Sequence, residues 1–389
     1  QGAGLRILTE PVTSPPLAEQ IQTLLGTFPG AKWHQWDPVF GVQQTSGTAA
    51  TTVSATYRLD QADVIVSLDA DFLGSGPAAL RAAKDFSKRR RVDHPGAEMN
   101  RLYVAETALT VTGGKADHRV ALRARDIHAF AAALAGAVGA GGGQAPGELT
   151  EEARNTWIPA IAKDLQAHRG RSAVIAGQTQ PPAVHALARA MNEALGNTGT
   201  TVVYGEPIAR SNADGIASIR ELVGDMAAGR VEVLIILGGN PVFTAPADLA
   251  FGHQLERVPL RAHLSQAVDE TSALCHWHVN EAHFLEAWGD IRSFDGTVTI
   301  QQPLIAPLYG GKTALEVVAA LNGQGDKAAM DLVRDYWTRA TGGQTAEMWN
   351  VTAGETFDKT WRKALHDGFV AGTSAFDAMA AAGATAPAA

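Results

Sequence analysis

The apolar run Val231-Glu232-Val233-Leu234-Ile235-Ile236-Leu237 stops abruptly at Gly238-Gly239-Asn240-Pro241. Seven residues is strand length, and so apolar a run predicts a strand covered on both faces, as in a parallel sheet. Parallel strands need crossover connections of a dozen or more residues, usually helices. The chain supplies them. Arg6-Ile7-Leu8-Thr9 reads as the opening strand, and Ser14-Pro15-Pro16-Leu17 starts a helix by the cap and N1-proline rule. That helix runs to about Leu25 before the turn at Pro29-Gly30.

Ala62 to Leu68 is the clearest strand of the first half, followed by a helix ending near Arg91 and by strands at Asn100 to Glu106 and Ala116 to Leu122. Asp126 to Val138 is an alanine-rich helix capped by its Asp. Gly41 to Ser54, rich in Gln, Thr, Ser and Ala, reads as a loop, and Gly139 to Gly147 as a linker. Beyond it come helices at Ile158 to His168, Ala183 to Leu195 and Gly215 to Ala228, with strands at Ser172 to Ala176 and Thr201 to Tyr204. The expected architecture is α/β: a first domain over 1–147, a second over 151–323 carrying the Gly238-Gly239-Asn240-Pro241 loop, a helical extension over 324–375, and a disordered tail over 376–389.

Composition removes several function classes. A net charge of −8 argues against a nucleic-acid grip, which relies on clustered Lys and Arg. The single basic run, Lys88-Arg89-Arg90-Arg91, reads as the cationic end of a helix. One cysteine, Cys275, excludes an intrachain disulfide and a cluster held by four thiolates of this chain. No apolar stretch reaches 18 residues, so no transmembrane helix is expected. The chain starts at Gln1, which reads as a processed or trimmed start with any export signal already gone.

Two segments carry candidate chemistry. Gly238, Gly239, Asn240 and Pro241 sit at the carboxyl end of the strongest strand, where open α/β sheets bind ligands and glycines admit a phosphate or nucleotide; a plain strand-to-loop turn is the alternative. Asp269 to His278, with Glu281, His283, Glu286 and Asp290 behind it, gathers donors of several types. For His276 and His278, hydrogen-bonded histidines packed among Trp277, Phe284 and Trp288 are the expectation, ahead of a metal site. Neither a Gly-x-Ser-x-Gly elbow, a Walker loop nor a spaced G-x-G-x-x-G is present.

Several segments, in this order, resemble the molybdopterin oxidoreductase family. Gly177-Gln178, Ala183 to Leu187 and Asn192 to Gly199 are similar to that family's helix and "N-x-x-x-GN-x-G" turn. Gly238-Gly239-Asn240-Pro241 is similar to its Gly-x-Asn-Pro loop, and Glu270-Thr271 to Glu286, Trp288-Gly289-Asp290 and Asp295-Gly296-Thr297 to its "ET…LP…LE…G…G" stretch. More narrowly, Asp69 to Leu73, Asn100 to Glu106, Ala116 to Arg119, Cys275 to His278, Gln302 to Gly311 and Leu365 to Gly368 resemble the cofactor-free relatives in the B subunit of alternative complex III.

The resemblance implies two Rossmann-like domains of the formate dehydrogenase and DMSO reductase type. It implies a structural, non-catalytic part of a quinol-oxidising respiratory complex on the periplasmic side of a bacterial inner membrane. Partners would be a ferredoxin-like domain carrying the iron–sulfur clusters, a multihaem cytochrome and integral membrane subunits, with no cofactor in this chain. The departures carry that reading. Active members place a Cys, selenocysteine, Ser or Asp on the metal after the second strand, where this chain has Trp33-His34-Gln35-Trp36-Asp37. The alternative is an active molybdenum or tungsten enzyme holding molybdopterin guanine dinucleotide, with Asp37 or a solvent oxygen on the metal. A module binding another nucleotide in the cleft is the third option.

Overall fold

The computed structural model describes residues 1–39, 54–205, 207–209, 215–341 and 357–377. The loop expected over Gly41 to Ser54 and most of the expected tail lie outside the described residues. In chain order the first elements are β1 (Leu5–Thr9), α1 (Pro15–Thr27), β2 (Lys32–Gln35), β3 (Ser54–Tyr57), β4 (Val64–Leu68), α2 (Ala79–Lys88) and β5 (Arg101–Glu106). Next come α3 (Val111–Gly114), β6 (His118–Ala121), α4 (Ile127–Ala137), α5 (Ile158–Ala167), β7 (Ser172–Ala176), α6 (Pro182–Ala194) and β8 (Val202–Gly205). Then follow α7 (Gly215–Ala227), β9 (Val233–Leu237), α8 (Pro241–Thr244), α9 (Phe251–Leu255), β10 (Leu260–Ser265), α10 (Glu270–Ala273) and β11 (Trp277–Asn280). The last are β12 (Gly289–Arg292), β13 (Val298–Gln301), α11 (Ala314–Leu321), α12 (Ala329–Thr341) and α13 (Phe357–Asp367). The chain is thus α/β with parallel sheets, as its alternating pattern predicts.

The division of that fold differs from expectation. The chain forms two compact units, one of Gln1–Gln43 with Ile208–Ala389 and the other of Gln44–Pro207. The linear boundary near 147 fails because β7, after it, pairs in parallel with β4, before it. Gly139 to Gly147 is accordingly no spacer. A side chain at Gly142 would meet Ala132 O at 2.6 Å, and one at Gly147 would meet Arg125 O at 2.6 Å. Asp126 does not cap α4; its carboxylate accepts from Glu148 N at 2.9 Å and fastens this glycine segment instead.

In the first unit the sheet runs β11-β10-β9-β1-β2, all parallel. Side chains alternate across it, as strand geometry requires. Ile7, Leu237 and Leu264 join Ile21 and Leu24 of α1 and Val318 of α11 in one core, while Leu8, Leu234 and Ile236 join Ile219 and Leu222 of α7 and Leu255 of α9 in the other. Ser14 caps α1 by accepting from Leu17 N, as the sequence predicts. The expected helical extension is part of this unit's packing: Trp337 of α12 and Trp361 of α13 share a core with Val298 and Ile300 of β13. Asp290 on β12, buried, accepts from Ser14 Oγ at 2.5 Å and Trp337 Nε1 at 3.0 Å, and burial pushes its carboxyl up to about 7.

The second unit has a four-stranded parallel sheet, β6-β5-β4-β7, and an antiparallel pair, β3-β8. Leu68, Val174 and Ala176 pack with Phe130 and Leu134 of α4, Leu165 of α5 and Met191 of α6; Ile65, Val104 and Ile175 face Phe86 of α2. The motif read as "N-x-x-x-GN-x-G" closes the edge of β7. Asn192 accepts from Val174 N at 3.0 Å and donates to Val174 O at 2.8 Å, as a neighbouring strand would. Asn197 Oδ1 accepts from Ser172 Oγ at 3.1 Å. The basic run is ion-paired, Lys88 with Asp85, Arg89 with Asp63 and Arg90 with Asp117.

Candidate functional site

In the first unit β1 and β9 lie side by side, but the chain leaves β1 toward β2 and leaves β9 toward β10, in opposite directions. Such a reversal opens a crevice at the carboxyl ends of the strands. A cavity of about 150 Å³ is found there. It is lined by Thr9 and Glu10 after β1, Trp36 and Asp37 after β2, and Gly238, Gly239, Asn240 and Pro241 after β9. The four residues singled out in the sequence therefore sit together with Trp36 and Asp37. Trp33, His34 and Gln35, read as part of a loop, belong instead to β2. A wider groove of about 280 Å³ by α1 and α12 carries the Glu19–Arg339 and Lys327–Asp335 ion pairs and touches none of the strand ends.

Gly238 and Gly239 adopt φ of +75° and +67°, a backbone that glycine adopts without strain. The Glu10 side chain lies across them: a Cβ on Gly239 would stand 3.3 Å from Glu10 Cγ. His263, fully buried on β10, grips the turn from below. Its Nε2 donates to Gly239 O at 3.0 Å, since a carbonyl only accepts, which leaves Nδ1 to accept from Ser272 Oγ at 2.9 Å. Desolvation holds this imidazole below its usual value, in the neutral form such bonding needs.

The Glu270-Thr271 pair completes the bracket. Thr271 Oγ1 donates to Asn240 Oδ1 at 2.7 Å, Asn240 Nδ2 donates to Glu270 Oε2 at 2.6 Å, and Val242 N donates to Thr271 Oγ1 at 3.0 Å. Two motifs some thirty residues apart are thereby one hydrogen-bonded unit. The hydrogen bond from Asn240 pulls the Glu270 carboxyl below its ordinary range.

Electrostatically the cavity is acidic. Glu10 is raised above its usual value by the atoms packed around it and by the charge of Asp37. Burial and the charge of Glu10 push Glu281, just beyond β11, up to about 7. Among the described residues no Lys or Arg lines the cavity. A dinucleotide cofactor brings a pyrophosphate, which needs cations or free backbone N–H groups. Here Gly238 N is bonded to Leu264 O and a carboxylate lies over the turn. These residues do not fit such a group.

A metal site fares no better. Among the described residues no group of three His, Cys, Asp or Glu is placed to hold a metal ion. In the Asp269 to His278 segment, His278 Nδ1 lies 3.1 Å from Ser272 Oγ, and His276 Nδ1 accepts from Arg261 N at 3.1 Å. The expected packing among aromatic side chains is found in part: the His283 ring lies 4.2 Å from that of Phe284 between centroids, while Trp277 is exposed. Burial pushes the Cys275 thiol up to about 11, which disfavours the thiolate. Glu10 and His263 escaped the sequence reading. Glu10 follows the first strand and was within reach of it, whereas His263 lies in a strand whose pattern, Leu260 to Ser265, is too polar to stand out.

Fold and site together define an α/β protein with a crevice at the strand ends of its first unit. No family model matches the chain and no curated protein matches it in sequence. Solved structures do share its fold. Acetylene hydratase from Pelobacter acetylenicus superposes with a TM-score of 0.60 at 13% identity over 89% of this chain, which spans 59% of that protein. A chain of the formyltransferase/hydrolase complex from Methylorubrum extorquens, in complex with methylofuran, gives a TM-score of 0.52 at 14% identity, covering 83% of this chain and 93% of that one.

Proposed function

We propose that this chain is a cofactor-free, structural part of a molybdopterin-oxidoreductase-like assembly, most like the B subunit of alternative complex III. Its role there is to hold electron-carrying neighbours in position. The acidic crevice carries the proposal: Glu10 over the glycine turn and Asp37 beside it, with no Lys or Arg among the described lining residues, oppose the pyrophosphate of a dinucleotide. The ordered motif resemblance and the fold shared with acetylene hydratase support the molybdopterin-type architecture. The partners we propose are a ferredoxin-like domain, a multihaem cytochrome and membrane subunits on the periplasmic side. The fold shared with a member of another multi-subunit complex accords with an assembly role. Among the described residues no helix is long and apolar enough to cross a membrane.

A second reading, an active molybdenum or tungsten enzyme, rests on Asp37, which lies just past β2 where the resemblance puts the metal ligand. Elemental analysis and pterin fluorescence of protein purified from its native host separate the two. The structural role predicts neither metal nor pterin in stoichiometric amount. Molybdenum or tungsten with pterin at one per chain overturns it.

A further inference from the structure

Asp290, buried at 5% exposure, sits where α1, β12 and α12 meet, and its carboxyl gives one oxygen to each helix. Oδ1 accepts from Ser14 Oγ, the hydroxyl that caps α1, at 2.5 Å, and Oδ2 accepts from Trp337 Nε1 of α12 at 3.0 Å. Both donors are neutral. Among the described residues no Lys, Arg or His pairs with this carboxyl, and Arg292 on its own strand is the charge that reaches it. Glu19, the charge on α1, is paired with Arg339; on α12, Arg334 pairs with Asp358 and Asp335 with Lys327, while Asp331 is exposed. β13, the other element packed against β12, carries no charge.

A carboxylate without a paired cation is strongly disfavoured in a buried site, so the closed joint favours the neutral acid and contact with water favours the anion. Ionisation is relieved by letting water in, and the side that yields is the less firmly held. Ile21 and Leu24 pack α1 against Ile7, Leu237 and Leu264 of the five-stranded sheet. Leu332, Val333 and Trp337 of α12 rest instead on the β12–β13 pair, through Val298 and Ile300, and two strands alone make a marginal platform. We propose that Asp290 is a proton-operated latch: neutral, it ties α12 to β12 and to the cap of α1, and on ionising it admits water and lets α12 open locally. Burial pushes the carboxyl up to about 7. Closure therefore has its full support below about 4 and loses it as pH rises through about 7. The inference does not depend on the function proposed above.

Amide exchange of the full chain at pH 5 and pH 8, corrected for the intrinsic rate at each pH and read peptide by peptide, tests the latch. The open population of α12 should rise about fivefold from the lower pH to the higher, and at pH 8 it should exceed that of β9 about tenfold, which marks the opening as local. Asp290→Asn should abolish the rise. Glu281 titrates in the same window but is untouched by that substitution, so it cannot account for a rise that the substitution removes. Trp337→Phe takes away a donor that favours the anion, so it should move the rise to higher pH, and it serves if the Asn variant fails to fold. An α12 that opens no more often at pH 8 than at pH 5 overturns the proposal. So do a rise that persists in the Asn variant and an α12 that opens only as often as β9.

Discussion

Replacing Asp290 by Asn should stabilise the protein at alkaline pH and leave it almost unchanged in acid. The carboxyl is 5% exposed and its pKa is raised from an ordinary 3.8 to about 7. An acid whose folded value lies above its unfolded value contributes its full stability below about 4 and loses it as pH rises through about 7. Roughly three units at 1.36 kcal/mol each set a ceiling of about 4 kcal/mol lost by pH 8. Relaxation around a charged carboxylate lowers the figure, and about 2 kcal/mol is the working expectation. Asn is neutral and of the same shape: its oxygen still accepts from Trp337 Nε1, and its amide donates to Ser14 Oγ where the carboxylate accepted.

Urea unfolding of both proteins at pH 5 and pH 8 gives the four free energies. The difference between variant and wild type should grow by about 1 kcal/mol from the lower pH to the higher, since part of the loss is already complete at pH 5. Glu281, raised into the same window, weakens both proteins alike and cancels in that difference. A difference that is the same at both pH values, or an Asn variant less stable than wild type at pH 8, refutes the reasoning. It would mean that Ser14 and Trp337 hold Asp290 ionised.

Asn192→Ala should cost about 2–4 kcal/mol in denaturant unfolding, because it strands the buried N–H and C=O of Val174 as well as the Asn197 amide. A loss under about 1 kcal/mol would show that water or a backbone shift replaces the side chain. His263→Ala should raise amide exchange at Gly238 and Val242 about tenfold by freeing the turn from below, with global stability less affected. Unchanged exchange there would mean that Thr271 and Glu270 hold the turn alone.

How legible this fold was depends on the element. Ser172 to Ala176 and the Ser14-capped helix follow from period and capping alone, which are local. The domain division is set by which strands pair, and β4 pairs with β7 more than a hundred residues away. Glycines at 139–147 look like a spacer for the same reason: their freedom is visible in sequence, while the α4 backbone they lie against is not. At the site, Gly238 to Pro241 could be read from position after a strand. The carboxylate laid across them and the histidine beneath come from other strands, and no local pattern announces either.

The paired strands β3 and β8 carry one more implication. They are the first and last described strands of the second unit, and Ser54 stands opposite Gly205 in their ladder, so these two residues are only about 5 Å apart. A guest segment with adjoining ends can be lengthened, shortened or removed while the host chain needs only a short splice to close. The first unit, with its crevice built wholly from its own strand ends, is thus free to keep its architecture while the insertion diverges.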